Sequence, residues 1–205
     1  MGRRVRVAVI DSGVNAAHPH IARVAGGFPA DDYLDRLGHG TAVMAAIQEK
    51  AAEADCFAVR VFHRELRASM ADLAAAMEWA VDKRMDVVNM SLGTANAAHA
   101  EKFAPYLGRA IFVSAAGMWP GNMPGVIRVA PDAALAREEY RIEGDTFFAS
   151  PYPRPIDGVP PERNLNGASF AVANMTGFVA RACRELGQVS YEAVLRALEA
   201  RPPDR

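Results

Sequence analysis

Cysteine is scarce: only Cys56 and Cys183 occur in 205 residues. Two cysteines cannot build the multi-bridge framework of a small secreted scaffold, though they leave a single bridge open; two free thiols in a reducing compartment is the simpler state. Long apolar runs are absent as well. None approaches the roughly 18 residues of a membrane span, and the run behind the basic start, residues 5–10, is too short for a signal-peptide core and contains Arg6. The chain is therefore expected in the cytoplasm and off the membrane. Charge of one sign is also lacking: 23 Lys and Arg face 24 Asp and Glu, a net charge of −1. That balance gives no basic field to hold nucleic acid or an anionic lipid surface, and a peptide or small uncharged partner fits better.

What is present is a chain that is 51% hydrophobic, enough for one domain over residues 1–205 with a single core. Residues 5–10 form a β-branched run that stops at Asp11-Ser12-Gly13, as a buried strand ending in a turn does. Gly38-His39-Gly40-Thr41 opens an Ala-rich helix over 42–54, with His39 at its N-terminus. Strands are predicted at 57–62, 85–91, 110–115 and 125–130, with a helix over 70–83 carrying Leu73, Met77, Ala80 and Val81 on one face. Residues 145–166, rich in Pro and Gly, read as a long surface loop, followed by helices over 167–185 and 191–200 and a fraying end at 201–205. The alternation implies an α/β fold in three layers: a doubly wound, mostly parallel sheet with helices on both faces.

In such sheets reactive groups collect where strands end and helix N-termini point. Asp11 follows a strand, His39 opens one helix and Ser169 opens another. Each has an ordinary structural explanation by itself, but the order Asp, His, Ser is one of the recognised chain orders of a catalytic triad. Val9-Ile10-Asp11-Ser12-Gly13-Val14, Gly38-His39-Gly40-Thr41 and Asn166-Gly167-Ala168-Ser169-Phe170-Ala171 resemble the three motifs of the subtilisin-like serine peptidases. The resemblance runs from residue 5 to about 198. It implies that Ser91, Leu92 and Gly93 pair with bound peptide, and that Ala115, Ala116 and Gly117 form the opposite wall of the primary specificity pocket, with room for a side chain. It also implies acyl transfer, most simply peptide hydrolysis: His39 accepts the Ser169 proton while Asp11 fixes the imidazole tautomer. The three are expected to converge, with His39 in hydrogen-bond reach of both others.

The chain departs from that pattern at the oxyanion region. Met118 stands where the family usually carries Asn, and a thioether donates no hydrogen bond; Ala168 stands where Thr is usual. Asn122 is the nearest alternative donor in the chain. Ala42 and Ala173 replace a family His and Pro. The short connection over 49–56 leaves out the usual calcium loop, and the acidic residues Asp31, Asp32 and Asp35 read as a solvated loop, so neither metal nor cofactor is expected. Residues 64–69, where relatives offer an edge strand to substrate, are charged. With strand one so near the start of the chain, no cleavable inhibitory segment is expected ahead of it. The leading expectation is a cytoplasmic endopeptidase for flexible peptides that matures a dedicated substrate, with a protein partner left open. The alternatives are a peptide-binding module that has lost its oxyanion hole, and an acyl transferase or peptide ligase on the same triad.

Overall fold

The structure is a computed structural model that describes residues 3–160 and 163–200. Pro161 and the predicted frayed end at 201–205 lie outside the described residues. Strand β1 (Arg6–Asp11) is followed by β2 (Gly26–Phe28), α1 (His39–Lys50), β3 (Asp55–Arg60), α2 (Met70–Asp82) and β4 (Val87–Met90). Next come a four-residue helix α3 (Ala100–Phe103) flanked by 3₁₀ turns, then β5 (Ile111–Ala115), β6 (Val126–Pro131), β7 (Tyr140–Glu143), β8 (Thr146–Ala149), α4 (Ala168–Leu186) and α5 (Tyr191–Ala200). The strands form one eight-stranded sheet in the order β2-β3-β1-β4-β5-β6-β8-β7. Every pairing is parallel except β7 with β8.

The hydrophobic pattern explains the layers. On β1 and β5 alternate residues point to opposite faces: Val7, Val9, Ile111 and Val113 join the core under α1, α4 and α5, whereas Ala8, Ile10 and Phe112 join the core under α2. Since both faces are covered, Val7, Ala8, Val9 and Ile10 of β1 and Ile111, Phe112 and Val113 of β5 are apolar one after another, which is why they read as continuous runs. Small residues let α1 and α4 lie close: a Cβ on Gly177 of α4 would come within 2.8 Å of Lys50 Cβ on α1. Burying Phe170 and Phe178 of α4 contributes roughly 1.5–3 kcal/mol each.

Several elements differ from expectation, and strands β2 and β7 fall where none was predicted. Helix α1 begins at His39 and ends at Lys50, so the 42–54 prediction is displaced; residues 51–54 turn towards β3. The Pro-rich stretch is not loop throughout, because Thr146–Ala149 pairs with both β6 and β7 before the prolines begin. Residues 61–69 contain no strand. The topology then positions the site: the chain leaves β1 for β3 on one side and β4 on the other, opening a crevice at the strand C-termini between β1 and β4.

Candidate active site

Asp11 is the last residue of β1, and its side chain is 0% exposed. One carboxylate oxygen, Oδ1, accepts from the Ser12 N–H at 2.7 Å and from His39 Nδ1 at 2.7 Å. An ionised carboxylate can only accept, so His39 carries its proton on Nδ1 and presents Nε2 as the basic nitrogen. The other oxygen, Oδ2, has no hydrogen-bond partner among the described residues. A close approach makes this geometry available. Gly40 sits so near the β1 turn that a Cβ there would lie 2.2 Å from the Gly13 carbonyl oxygen and 3.1 Å from Asp11 Oδ1.

Ser169 lies in the first turn of α4, and Phe170 stacks near the imidazole with ring centroids 5.3 Å apart. Its N–H has no acceptor among the described residues, as expected for a first-turn amide. The hydroxyl donates to the Ser91 carbonyl at 3.1 Å, and no hydrogen bond joins it to His39 among the described residues. The expected three-member chain is thus complete from Asp11 to His39 but not from His39 to Ser169: a hydroxyl has one proton to donate, and Ser91 O takes it. Ser91 holds the turn from the other side, its Oγ donating to Ser169 O at 3.0 Å and accepting from Asn89 Nδ2 at 2.9 Å. Asn89 in turn accepts from Thr176 Oγ1 at 2.9 Å.

One functional residue was misread in the sequence. Asp35 is not a solvated loop acid but the hub that ties the two motifs together. Its Oδ1 accepts from Ser12 Oγ, Leu37 N and Gly38 N, each at 2.9 Å, and its Oδ2 from Thr41 N at 2.9 Å and Thr41 Oγ1 at 2.6 Å. Ser12 Oγ also accepts from Gly40 N at 2.8 Å. Asp32 is likewise paired, accepting from Arg60 Nη2 at 2.6 Å. The only local signal was the spacing of Asp35 two and three residues before amides it caps. Among the described residues no group of three or more His, Cys, Asp and Glu side chains could hold a metal ion.

The electrostatics follow from these contacts. Burial alone would push the His39 pKa down, but the hydrogen bond and charge of Asp11, with the charge of Asp35 behind them, raise it above the ordinary histidine value. Burial opposes ionisation of Asp35 too, yet the Thr41, Leu37 and Gly38 donors hold its carboxyl below the usual range.

At the oxyanion region, Met118 offers no donor and Ala168 no hydroxyl. Asn122 caps the intervening turn: its Oδ1 accepts from Gly117 N at 3.0 Å, and its own N–H donates to Met118 O at 2.9 Å. Ala115, Ala116 and Gly117 continue from β5 beside the Ser91, Leu92 and Gly93 continuation of its neighbour β4, and Met118 lies close to Gly93. A Cβ on Gly93 would lie 2.9 Å from Met118 Cβ. Both cysteines are buried and unbonded, and burial pushes each thiol up to about 12.

Known proteins share these features in part. A sequence model described as the subtilase family matches residues 2–129, which include Asp11, His39 and Met118 but stop short of Ser169. The thermostable alkaline protease of Halalkalibacterium halodurans is 36% identical over 154 residues, covering 63% of this chain and 42% of its own length. The chain therefore spans less than half of that relative. Among solved structures, the prenylagaramide maturation protease PagA superposes with a TM-score of 0.71 at 22% identity, covering 97% of this chain and 83% of that one. The nisin leader peptidase NisP from Lactococcus lactis superposes with a TM-score of 0.76 at 16% identity, over 98% and 83% of the two chains. At such identities the superpositions establish the fold, a subtilisin-like α/β sheet. With the match over residues 2–129 on that fold, the chain belongs to the subtilase family.

Proposed function

We propose that this protein is a serine endopeptidase that cleaves flexible peptides in the cytoplasm, with Asp11, His39 and Ser169 as its catalytic residues. The observation that carries the reading is the buried Asp11–His39 hydrogen bond of 2.7 Å, set in the crevice where Ser169 opens α4. A serine hydroxyl attacks a carbonyl only when a base takes its proton. When Ser169 Oγ leaves the Ser91 carbonyl, His39 Nε2 accepts that proton, and Asp11 stabilises the resulting imidazolium. The unpaired Ser169 N–H donates to the oxyanion of the tetrahedral intermediate. His39 then returns the proton to the leaving amine, and water repeats the sequence on the acyl-enzyme.

The substrate half of the reading rests on loop economy. The peptide would pair with Ser91, Leu92 and Gly93 by β-augmentation, with no second strand at 61–69 to hold it from the other side. One-sided pairing suits a flexible chain, and trimming of a dedicated precursor suits it better than general degradation. The structural resemblance to PagA, a prenylagaramide maturation protease, and to NisP, a nisin leader peptidase, points the same way. The buried, unbonded thiols agree with a reducing compartment, and no helix among the described residues is long and apolar enough to cross a membrane.

A second reading is favoured by two observations: Met118 supplies no oxyanion donor, and the Ser169 hydroxyl is engaged by Ser91. In that reading the chain binds peptides without cutting them. An acyl transferase would use the same acyl-enzyme with an amine in place of water. Wild type and Ser169→Ala are compared on a panel of flexible peptides by mass spectrometry. Cleavage lost in Ser169→Ala supports the peptidase, ligated products in the presence of added amines indicate the transferase, and binding with no turnover indicates the module.

A further inference from the structure

Beside the base lies a cavity that the triad does not use. It encloses about 220 Å³, room for several waters at about 30 Å³ each and so for one polar side chain or chain end. One wall is the turn that follows the Asp11 motif, the second is the start of α1 around Gly38, and the third is the Pro-rich segment as far as Leu165, four residues before Ser169. None of the walls comes from β4, β5 or the residues that continue them. The walls are pinned to one another. Arg154 Nη1 donates to His20 O at 3.2 Å, Asn164 Nδ2 donates to Arg154 O at 3.1 Å, and the Asn15 N–H donates to Thr41 Oγ1 at 3.0 Å.

What the cavity offers is unspent hydrogen-bond donors. His18 Nδ1 accepts from the His20 N–H at 3.2 Å, so a neutral His18 carries its proton on Nε2, which has no acceptor among the described residues. Asn15 Oδ1 accepts from the Ala17 N–H at 3.1 Å, while its Nδ2 is likewise without an acceptor there. Arg154 spends Nη1 on His20 O and leaves Nη2 unspent. The nearby acceptors, by contrast, are taken. Both Asp35 oxygens are filled by the five donors described above, and Glu49, 3.7 Å from Arg154 Nε, is held by Arg137. Ile156 and Leu165, both exposed, form an apolar rim. From this geometry we propose that the cavity receives a carboxylate on the departing half of the substrate, bound by Arg154, His18 and Asn15. A cavity that abuts the base but not residues 91–93 is placed for the half that leaves with the new amine, since His39 hands its proton to that amine. A carboxylate accepts several hydrogen bonds and pairs with a guanidinium, which is the partner these three side chains lack. The assignment rests on the peptidase reading and adds its substrate class: peptides that carry an acidic residue, or end in a free carboxylate, a few residues beyond the cleaved bond.

The test uses a peptide that wild type cleaves, made with a departing half of two, three or four residues whose last residue is Glu or Gln and whose end is a free acid or an amide. At the length that reaches the cavity, a carboxylate is expected to raise kcat/KM about tenfold over the Gln amide. The Glu amide and the Gln free acid tell the side chain from the chain end as its source. Arg154→Gln and His18→Phe, each shown to be folded by circular dichroism and a thermal melt, are expected to cut that ratio by threefold or more. Acidic and neutral peptides cleaved alike at every length overturn the proposal, as does a ratio unchanged in both folded variants. Should no peptide be cleaved, the peptidase reading has failed, and the cavity is read separately by titrating Ser169→Ala with fluorescein-labelled Gly-Ser-Ala-Glu free acid and with its Gln amide, following anisotropy and the His18 ring signals by NMR. The free acid must bind more tightly and shift the His18 signals; equal binding, or none, overturns the proposal.

Discussion

Removing the Asp35 carboxylate tests the hub on which the His39 helix is mounted. Asp35 accepts five hydrogen bonds, of which those from Leu37 and Gly38 are exposed and can be replaced by water. The three from Ser12 and Thr41 are partly buried and cannot be replaced as easily. At about 1.5–3 kcal/mol for a hydrogen bond to a charged group, discounted for the solvent that reaches the site, Asp35→Ala is expected to lose about 2–4 kcal/mol. For a chain of this size that lowers Tm by roughly 5–15 °C. Asp35→Asn is the more informative variant, because it keeps the shape and removes the charge that helps hold the His39 pKa up. NMR titration of the His39 ring should show a lower pKa in Asp35→Asn than in wild type. Since the base must be neutral, the acid limb of activity should move to lower pH by the same amount. The linkage has a definite sign. The His39 pKa is raised in the fold, so its stabilisation is present below the ordinary value of 6.5 and is lost as pH rises through the folded value. The Asp35 pKa is depressed, so its contribution is present above 3.8 and is lost as pH falls through the folded value. A purely structural role would lower activity without moving the limb. An Asp35→Ala melt within about 1 °C of wild type, with an unmoved His39 titration, would refute the argument.

Gly40→Ala should destabilise by about 1–3 kcal/mol and disrupt the Asp11–His39 contact, because its methyl would sit 2.2 Å from Gly13 O; a thermal melt and the His39 titration report both. Met118→Asn should raise kcat about tenfold or more on any flexible peptide the wild type cleaves, with little change in KM, since one oxyanion donor acts mainly in the transition state. With their pKa values pushed to about 12 and their side chains buried, Cys56 and Cys183 should resist iodoacetamide at pH 8 in the native protein and react in guanidinium. Fast native alkylation would contradict their placement in the core.

The parts of this architecture that are local in sequence were legible in it. The strands of β1, β4 and β5 show as apolar runs because both sheet faces are covered, and Asp11, His39 and Ser169 fall at the element ends where motif and period change together. Strand β2 was not legible: Gly26–Phe28 is three residues long with two glycines, and its pairing with β3 supplies what its propensity lacks. Strand β8 hid at the head of a Pro-rich stretch for a similar reason, being four residues held from both sides. Asp35 looked solvated because its strongest partners, Ser12 and Thr41, are brought to it by the β1 turn and the α1 start, which no short window contains. The close approach of Gly93 to Met118 and Trp119 was equally invisible, since it depends on a bridge between Thr94 and a residue 25 positions later.

The central claim is that Ser169 is a nucleophile activated through His39 and Asp11. The direct measurement is covalent labelling of the folded protein by a fluorophosphonate probe, with the modified residue located by peptide mass mapping. The account predicts a single label on Ser169, absent in Ser169→Ala and strongly slowed in His39→Ala and Asp11→Asn variants that retain their fold. Folded wild type that takes up no label, or that labels at the same rate without His39, would contradict it.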